Sequence, residues 1–387
     1  MAWNQTAGQY LVVWEDWRNE GTTGTDIYGR RFGAGGGALG AEFRITGGVS
    51  DSRERMPAVV WNKTANEYLV VWEDWRNSSG PGSGADIYGR RIGANGAAAG
   101  ADFRISTPTG EKHESHPAVG WDQTTNRYLV VWDDERAMTT RSTDIYGRVL
   151  SATGAPAAPD FRISRLATLS AQVFLVVAGG AGKFLVVWED HRDEADYRVY
   201  GRRVDAATGV AEGADVRLTG SAARNAIVPA VAGNGTTGEF LVVWEDWRSY
   251  TEDVLNIASV YGRLVGADGV PADRDRRLGN RNATAGAYGP VVAWNQAAGR
   301  HLVTWTDGRN VVMDGPDPVV GNDISGRRAG TDGTPAGVEL RLSSAVPSEF
   351  DSALVSNSGG GSFFVVWCDL RNADTAGEDL YGRQVPG

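Results

Sequence analysis

Short apolar runs separated by turn-forming residues recur along the whole chain. In one stretch, Tyr68–Trp72 is a continuous apolar run that follows a tight loop at 62–67. A second apolar run, Pro57–Trp61, precedes that loop, and two further strand candidates, Asp86–Arg91 and Phe103–Ser106, follow it. No segment keeps a 3.6-residue hydrophobic period. The pattern therefore predicts four short strands per unit and almost no helix.

This four-strand unit occurs seven times, and the second strand of each unit ends in a tryptophan. These anchor tryptophans recur at intervals of 56 to 62 residues and are Trp14, Trp72, Trp132, Trp188, Trp244, Trp305 and Trp367. The second strand is typically a continuous apolar run and not an alternating one, which indicates burial on both faces. Small antiparallel sheets packed face to face bury strands in this way. We predict an all-β fold, a single seven-bladed β-propeller of four-stranded blades spanning residues 1–387.

The units at the two ends of the chain are shorter than the others. The first keeps only Ala2 and Trp3 of its first strand, and the last ends near Val385 without a fourth strand. We therefore expect incomplete blades at both ends. An exposed sheet edge there could pair with a second copy of the chain.

The order of the motifs resembles a known class of repeat. Pro-Ala-Val-x-Trp is followed by a hairpin, by a strand ending in x-Asp-x-Arg, by Asp-Ile-Tyr, and by Arg-Ile/Leu-Ser/Thr. This order is similar to the TolB-type, WD40-like propeller repeat. More closely, it resembles the VVW-x-D-x-R…DIYGR repeats of secreted or surface proteins of myxobacteria and related bacteria. The resemblance covers nearly the whole chain and implies a location outside the cell or at its surface. It implies little about function, because this architecture carries binding proteins and enzymes alike.

Composition narrows the possible partners. The net charge is −10, which argues against binding to a nucleic-acid backbone. Of the 38 basic residues only Lys63, Lys112 and Lys183 are lysines, and arginine suits fixed, planar ion pairs. No apolar stretch is long enough to insert in a membrane. The single cysteine, Cys368, excludes an intrachain disulfide.

A charged phrase follows every anchor tryptophan. An aspartate lies two positions after the anchor and an arginine two positions further on. Residues i and i+2 of an extended segment share a face, so we predict that each pair forms a structural clip. The predicted pairs are Asp16 and Arg18, Asp74 and Arg76, Asp134 and Arg136, Asp190 and Arg192, Asp246 and Arg248, Asp307 and Arg309, and Asp369 and Arg371. In the facing strand, a glycine such as Gly89 is expected to leave room for the anchor tryptophan.

The residue between the aspartate and the arginine differs between blades. It is Trp17, Trp75, Trp247 or His191 in four of them, and it begins the loop between the second and third strands. Loops that differ between repeats carry binding sites. These four side chains are therefore the candidate binding residues, for a sugar ring or a protein partner. The alternative is that the tryptophans only cover the clip.

Candidate chemistry is sparse. His113 and His116 form a His-x-x-His segment with Glu114 between them, a weak metal candidate because no third ligand is evident. There is no nucleophile elbow, phosphate-binding loop or cofactor fingerprint. We expect no catalytic residue, no metal and no cofactor.

The main expectation from the sequence is a non-catalytic scaffold that binds an unidentified protein partner. Two alternatives stay open. One is a lectin-like propeller that stacks glycans on the loop tryptophans. The other is a propeller-fold hydrolase or lyase, which would need a non-repeated cluster of acids or histidines, and the sequence offers only His113 and His116 for it.

Overall fold

A computed structural model describes residues 1–19, 24–47, 53–78, 84–108, 112–136, 143–165, 171–192, 196–248, 258–279, 286–314, 317–344, 349–370 and 379–387, without the side chains of 310–320. These residues contain 27 strands and no helix, as the hydrophobic pattern predicts. They accordingly include no helix that is long and apolar enough to cross a membrane.

The strands form seven antiparallel sheets, each built from strands consecutive in the chain. The first four sheets, called blades 1 to 4, contain β1 (Ala2–Asn4), β2 (Gln9–Asp16), β3 (Asp26–Gly33) and β4 (Phe43–Arg44); β5 (Glu54–Asn62), β6 (Glu67–Asp74), β7 (Asp86–Gly93) and β8 (Phe103–Arg104); β9 (Glu114–Asp122), β10 (Arg127–Asp134), β11 (Asp144–Leu150) and β12 (Phe161–Arg162); and β13 (Gln172–Gly180), β14 (Lys183–Asp190), β15 (Arg198–Asp205) and β16 (Val216–Arg217).

Blades 5 to 7 continue the same order. They contain β17 (Ile227–Gly233), β18 (Phe240–Asp246), β19 (Ser259–Val265) and β20 (Arg276–Arg277); β21 (Ala287–Asn295), β22 (Arg300–Asp314), β23 (Asp317–Ala329) and β24 (Pro335–Arg341); and β25 (Glu349–Asn357), β26 (Ser362–Asp369) and β27 (Asp379–Pro386). The fold is a seven-bladed β-propeller. The expected incomplete blades are confirmed, because β1 has three residues and the described part of blade 7 has three strands.

The chain divides into two compact units. Unit 1 comprises residues 1–194, 201–216 and 235–238, and therefore holds blades 1 to 3 and most of blade 4. Unit 2 comprises residues 195–200, 217–234 and 239–387, and holds blades 5 to 7. That residues 1–387 act as one domain stays a prediction.

The second strand of each blade lies in the core. In blade 2, every residue of β6 from Tyr68 to Asp74 is buried, which confirms burial on both faces. Within unit 1, Leu69 and Val71 of this strand pack with Val130 and Trp132 of blade 3. The anchors Trp72, Trp132, Trp305 and Trp367 each lie in such a cluster between two neighbouring sheets.

The expected role of the strand glycines is wrong in one respect. A Cβ atom on Gly89 would lie 2.8 Å from Cδ1 of Ile105, which follows the fourth strand, and 3.2 Å from the carbonyl oxygen of Val70. The glycine therefore makes room for this isoleucine rather than for the anchor tryptophan. The same close approach recurs between Gly147 and Ile163.

Candidate functional site

The repeated aspartate and arginine meet in all six blades in which the structure describes both. In blade 2, buried Asp74 accepts hydrogen bonds from Nε of Arg76 at 2.8 Å and from its Nη2 at 2.6 Å. The same carboxylate accepts the Arg76 backbone N–H at 2.9 Å and the Trp72 indole N–H at 2.8 Å. One carboxylate therefore holds a strand end, a guanidinium and the core tryptophan. Arg371 of the seventh predicted pair lies outside the described residues.

The clip aspartate belongs to a row of acids across neighbouring strands. In blade 3, Asp134 lies opposite Glu114 of β9 on one side and opposite Asp144 of β11 on the other. Burial raises the pKa of Glu114 to about 8, and the charge of Asp134 adds to this effect. Glu114 is therefore largely protonated at neutral pH. Arg162 of β12 pairs with Asp144 at 2.5 Å. The same row recurs in blade 2 and in blade 7, which is typical of a residue set that supports the fold.

The four candidate binding residues lie in different environments. Trp17 is 46% exposed, and the Arg55 guanidinium lies 4.6 Å from its ring centroid. Trp75 and Trp247 are half-buried: Trp75 packs on His113, and Trp247 donates its indole N–H to Glu245 at 2.9 Å. Half-buried His191 lies 2.6 Å from Oε1 of Glu189. Among the four, Trp17 offers the most open aromatic face. Most of the variable loops that follow these positions lie outside the described residues.

His113 and His116 do not point to a common site. Nδ1 of His113 accepts the backbone N–H of Ala85 at 3.2 Å, and its ring packs on Trp75 at 4.7 Å between centroids. His116 instead contacts Asp133. Within the described ranges no group of three or more His, Cys, Asp or Glu side chains is arranged to hold a metal ion. The imidazole of His116 is therefore held by a single carboxylate and not by a set of metal ligands.

The backbone places His116 on a β-bulge of the first strand of blade 3. The register between β9 and β10 shifts at this point, and His116 has a φ of 51°. A non-glycine residue at positive φ needs support from its surroundings. Here Glu73 of blade 2 accepts the His116 backbone N–H at 2.6 Å. Blade 2 has the same bulge at Met56, whose N–H is bound by Glu15 at 2.7 Å.

The His116 cluster, defined here as Glu73, His116, Asp133, Glu135 and Phe174, lies within unit 1. Nδ1 of His116 is 3.1 Å from Oδ2 of Asp133, whose side chain is 3% exposed, whereas the His116 side chain is 45% exposed. The Asp133 hydrogen bond raises the pKa of His116. Burial raises the pKa of Asp133 to about 6, against the lowering effect of His116. An accessible imidazole is thus held by a buried carboxylate, as in enzymes that transfer protons.

Two further side chains complete the surroundings of this imidazole. The Phe174 ring, 51% exposed, lies 6.2 Å from the His116 ring between centroids. Half-buried Glu135 contributes with Glu73 to the raised pKa of Asp133. Oδ1 of Asp133 has no hydrogen-bond partner among the described residues. The cluster therefore combines a proton-transfer group, acids close to it and an exposed aromatic ring.

Sequence reasoning singled out His116, together with His113, as a weak metal candidate and as the only candidate for the hydrolase alternative, but it overlooked Asp133. A signal was present in the repeat itself. Blade 3 reads Trp-Asp-Asp-Glu-Arg where blades 1, 2 and 5 read Trp-Glu-Asp-Trp-Arg, so both Asp133 and Glu135 depart from the consensus. The bulge position holds His116 only in this blade. The residue at the bulge differs from blade to blade, as Met56, Phe174, Val228 and Asp351 show, so the fold does not require a histidine there.

Comparison with known proteins gives a clear result for the fold. No family model and no curated protein matches this chain, so the resemblance to TolB-type repeats stays a prediction. Among solved structures, a GH93 α-L-arabinofuranosidase of Fusarium graminearum in complex with arabinobiose has 14% identity and a TM-score of 0.56, with coverage of 86% of this chain and 93% of that one. An α-L-arabinanase of Penicillium chrysogenum, also with arabinobiose, has 15% identity and a TM-score of 0.54 at the same coverage. A protein of unknown function from Dyadobacter fermentans has 10% identity and a TM-score of 0.53, covering 98% of this chain and 99% of that one.

These similarities correct the main expectation of a non-catalytic protein scaffold. Several of the structural neighbours are glycoside hydrolases of the same fold. The hydrolase alternative is therefore favoured over the scaffold. The physical reason for the error is that the sequence argument found no acid to pair with His116, whereas the register of β9 and β10 brings Asp133 to it. At these levels of identity the likeness itself shows only the fold.

Proposed function

We propose that this protein is a propeller-fold hydrolase of glycosides whose reaction centre is the His116 cluster. The observation that carries the proposal is the pairing of half-exposed His116 with buried Asp133 at 3.1 Å, in one blade only. A structural residue of this fold is copied from blade to blade, as the clip aspartate is. A residue that takes part in the reaction is needed in only one blade. The arabinan-active neighbours of the same fold support glycosides as the substrate class.

Hydrolysis of a glycoside needs an acid that protonates the leaving oxygen and a base that activates water. His116 is suited to the first role, because its ring is accessible and the hydrogen bond with Asp133 raises its pKa, which favours the protonated imidazolium. Asp133 orients the ring and stabilises the imidazolium. Glu135, half-buried and close enough to influence the Asp133 carboxyl, is the candidate base. The exposed face of Phe174 is suited to packing against a sugar ring.

The test is turnover of a panel of aryl glycosides and polysaccharides that includes α-L-arabinofuranosides and arabinan. We expect His116→Gln to lower kcat/KM by about 10²-fold or more, the usual contribution of a positioned proton donor. His191→Gln is the matched control, since that residue also pairs with an acid yet lies outside the cluster. No turnover on the panel, or equal turnover in wild type and His116→Gln, would refute the proposal.

The pH profile separates a proton donor from a merely structural histidine. With His116 as the acid, kcat/KM falls as pH rises through the pKa of His116. Asp133→Asn removes the carboxylate that raises this pKa, so the descending limb should move to lower pH. A limb that does not move would remove Asp133 from the proposed role.

Glycan binding without hydrolysis is a second candidate, favoured by the exposure of Trp17. Its ring is the most accessible of the three for stacking on a sugar, although Arg55 lies over it, whereas Trp75 packs on His113 and Trp247 bonds Glu245. Trp17→Ala should then abolish binding on a glycan screen without lowering stability. A location outside the cell would suit either function and stays a prediction.

A further inference from the structure

One tyrosine of the repeat is missing from a single blade. The third strand of six blades contains a tyrosine before its conserved glycine: Tyr28, Tyr88, Tyr146, Tyr200, Tyr261 and Tyr381. Blade 6 has Ser325 at this position. The register is unchanged, because Ser325 lies opposite Trp305 and Arg341 just as Tyr88 lies opposite Trp72 and Arg104.

In blades 1, 2, 3 and 5 this tyrosine ring lies beneath the clip arginine. The distance from the guanidinium carbon to the ring centroid is 4.5 Å for Arg18 and Tyr28, 4.4 Å for Arg76 and Tyr88, 3.9 Å for Arg136 and Tyr146, and 3.9 Å for Arg248 and Tyr261. These are cation–π contacts of ordinary geometry. In blade 2 the hydroxyl of Tyr88 also accepts a hydrogen bond from Nδ2 of Asn77 at 2.9 Å. The walls around this position are therefore complementary to a phenol.

In blade 6 the space of the missing ring is a cavity of about 300 Å³, which we call the blade 6 pocket. It is lined by Asp307, Arg309, Asp323, Ser325, Glu339 and Arg341, all within unit 2. Leu340 takes the place of the phenylalanine found at Phe103 in blade 2, which widens the space further. A cavity of about 150 Å³ is enough to hold benzene. The blade 6 pocket thus has room for a substituted aromatic ring.

The charged side chains of the pocket are already paired with one another. Arg309 contacts both Asp307 and Glu339, and Arg341 lies 2.7 Å from Asp323. Nε of Arg309 bonds both oxygens of Asp307, at 2.8 and 2.9 Å. In blade 2 the indole N–H of Trp72 bonds the clip aspartate, Asp74. The equivalent indole N–H of Trp305 has no partner among the described residues. A neutral ligand suits such a site better than an ion does, because no charge on the wall needs a new counter-ion.

We propose that the blade 6 pocket binds a phenolic ring supplied by a ligand, which takes the place of the tyrosine that the other blades carry. The ring lies beneath Arg309 and over Ser325, and its hydroxyl points along the direction of the absent tyrosine hydroxyl. This site is separate from the His116 cluster, and its test does not depend on hydrolytic activity. The phenol can come from a small molecule or from a tyrosine of a polypeptide.

The test uses p-cresol, which is the tyrosine side chain as a free molecule, and follows its binding to the full-length protein by saturation-transfer NMR. We expect binding to the wild type and its loss in Ser325→Tyr, which restores the residue of the other blades and should raise the melting temperature. 4-Methylcyclohexanol, of similar size but without an aromatic face, should bind at least several-fold more weakly.

A second variant, which should create a site, keeps the test informative if Ser325→Tyr fails to fold. Tyr88→Ser should open the equivalent pocket in blade 2 and add a second p-cresol site. N-acetyltyrosinamide distinguishes the sources: binding tighter than that of p-cresol indicates a polypeptide tyrosine, and weaker binding indicates a small phenol. Absence of p-cresol binding to the wild type, binding unaffected by Ser325→Tyr, or equal binding of the cyclohexanol would each overturn the proposal.

Discussion

The substitution Asp74→Ala tests the energetic role of the repeated clip. Asp74 is fully buried and accepts four hydrogen bonds, three from Arg76 and one from the indole of Trp72. Its removal leaves the Trp72 N–H buried without an acceptor. Arg76 loses its main partner but keeps Asp102 at 3.0 Å and the ring of Tyr88. Breaking the clip therefore removes several bonds at once, although the guanidinium retains some of its interactions.

The expected loss follows from these contacts. A stranded buried donor costs about 1–3 kcal/mol, and breaking a buried ion pair from one side costs about 3–5 kcal/mol. Arg76 is not left alone, and the loss of the Asp74 charge relieves its repulsion of Asp86. We therefore expect Asp74→Ala to lower the free energy of unfolding by about 3 kcal/mol, toward the lower end of the ion-pair range.

Blade 1 offers a matched control for this prediction. Asp16 occupies the same position, but the Arg18 side chain is 46% exposed and the Trp14 indole is 3.3 Å from the carboxylate. Arg18 also keeps Glu42 at 2.5 Å. Because exposed pairs contribute little, Asp16→Ala should cost about 1 kcal/mol. Urea unfolding followed by circular dichroism compares the two variants. Equal losses, or no loss for Asp74→Ala, would show that burial does not determine the contribution of the clip.

Three further predictions concern buried titratable groups and the strand glycine. Burial raises the pKa of Glu114 from 4.5 to about 8, so the native state retains a proton that the unfolded state releases, and stability should fall as pH rises between these values. The slope is at most about 1.4 kcal/mol per pH unit; Glu114→Gln should flatten it in urea titrations at several pH values, and an unchanged slope would contradict the assignment. Burial lowers the pKa of His301 to about 4, so stability should fall as pH drops from 6.5 toward 4. His301→Phe, which installs the residue of Phe184 and Phe363, should stabilise the protein more at pH 5 than at pH 8, and an equal gain at both would count against a neutral buried imidazole. Gly89→Ala should cost about 1–3 kcal/mol by overpacking against Ile105, and a neutral effect on the melting curve would show that the isoleucine moves freely.

Much of the fold could be predicted from the sequence because the repeat supplies seven copies of the same pattern. The continuous apolar second strand, as in Tyr68–Trp72, reports burial on both faces without any knowledge of the structure. The fourth strands were the least accurate part: Phe103–Ser106 is predicted, but only Phe103 and Arg104 form ladder pairs. Ile105 instead turns inward to fill the space above Gly89. Pairing length at a sheet edge depends on such packing, which a strand pattern does not contain.

The candidate site was less predictable, because it depends on residues far apart in the repeat. His116 and Asp133 come together through the register of β9 and β10, and the bulge between them sets which side chain reaches the carboxylate. A strict two-residue alternation of side chains does not predict this pairing, because the bulge changes which face of the sheet the side chains occupy. The separation of His113 from His116 has the same origin. His113 precedes β9 and its ring packs on Trp75, whereas His116 lies on the bulge of β9 and stays accessible.

Repetition gives the structure an internal standard against which function can be recognised. Positions that are copied between blades, such as Asp74, bind neighbouring core residues in each copy and support the fold. Positions that depart from the copies do not share this constraint. Two departures produce new local chemistry: the pairing of His116 and Asp133 gives an accessible imidazole, and Ser325 gives an open cavity. At Asp133 and at Ser325 the other blades show the repeat residue, Glu73 and Tyr88 in blade 2, that the fold alone uses. A variant that restores the repeat residue should therefore abolish the function of its site and preserve the fold, and this difference separates function from stability at both sites.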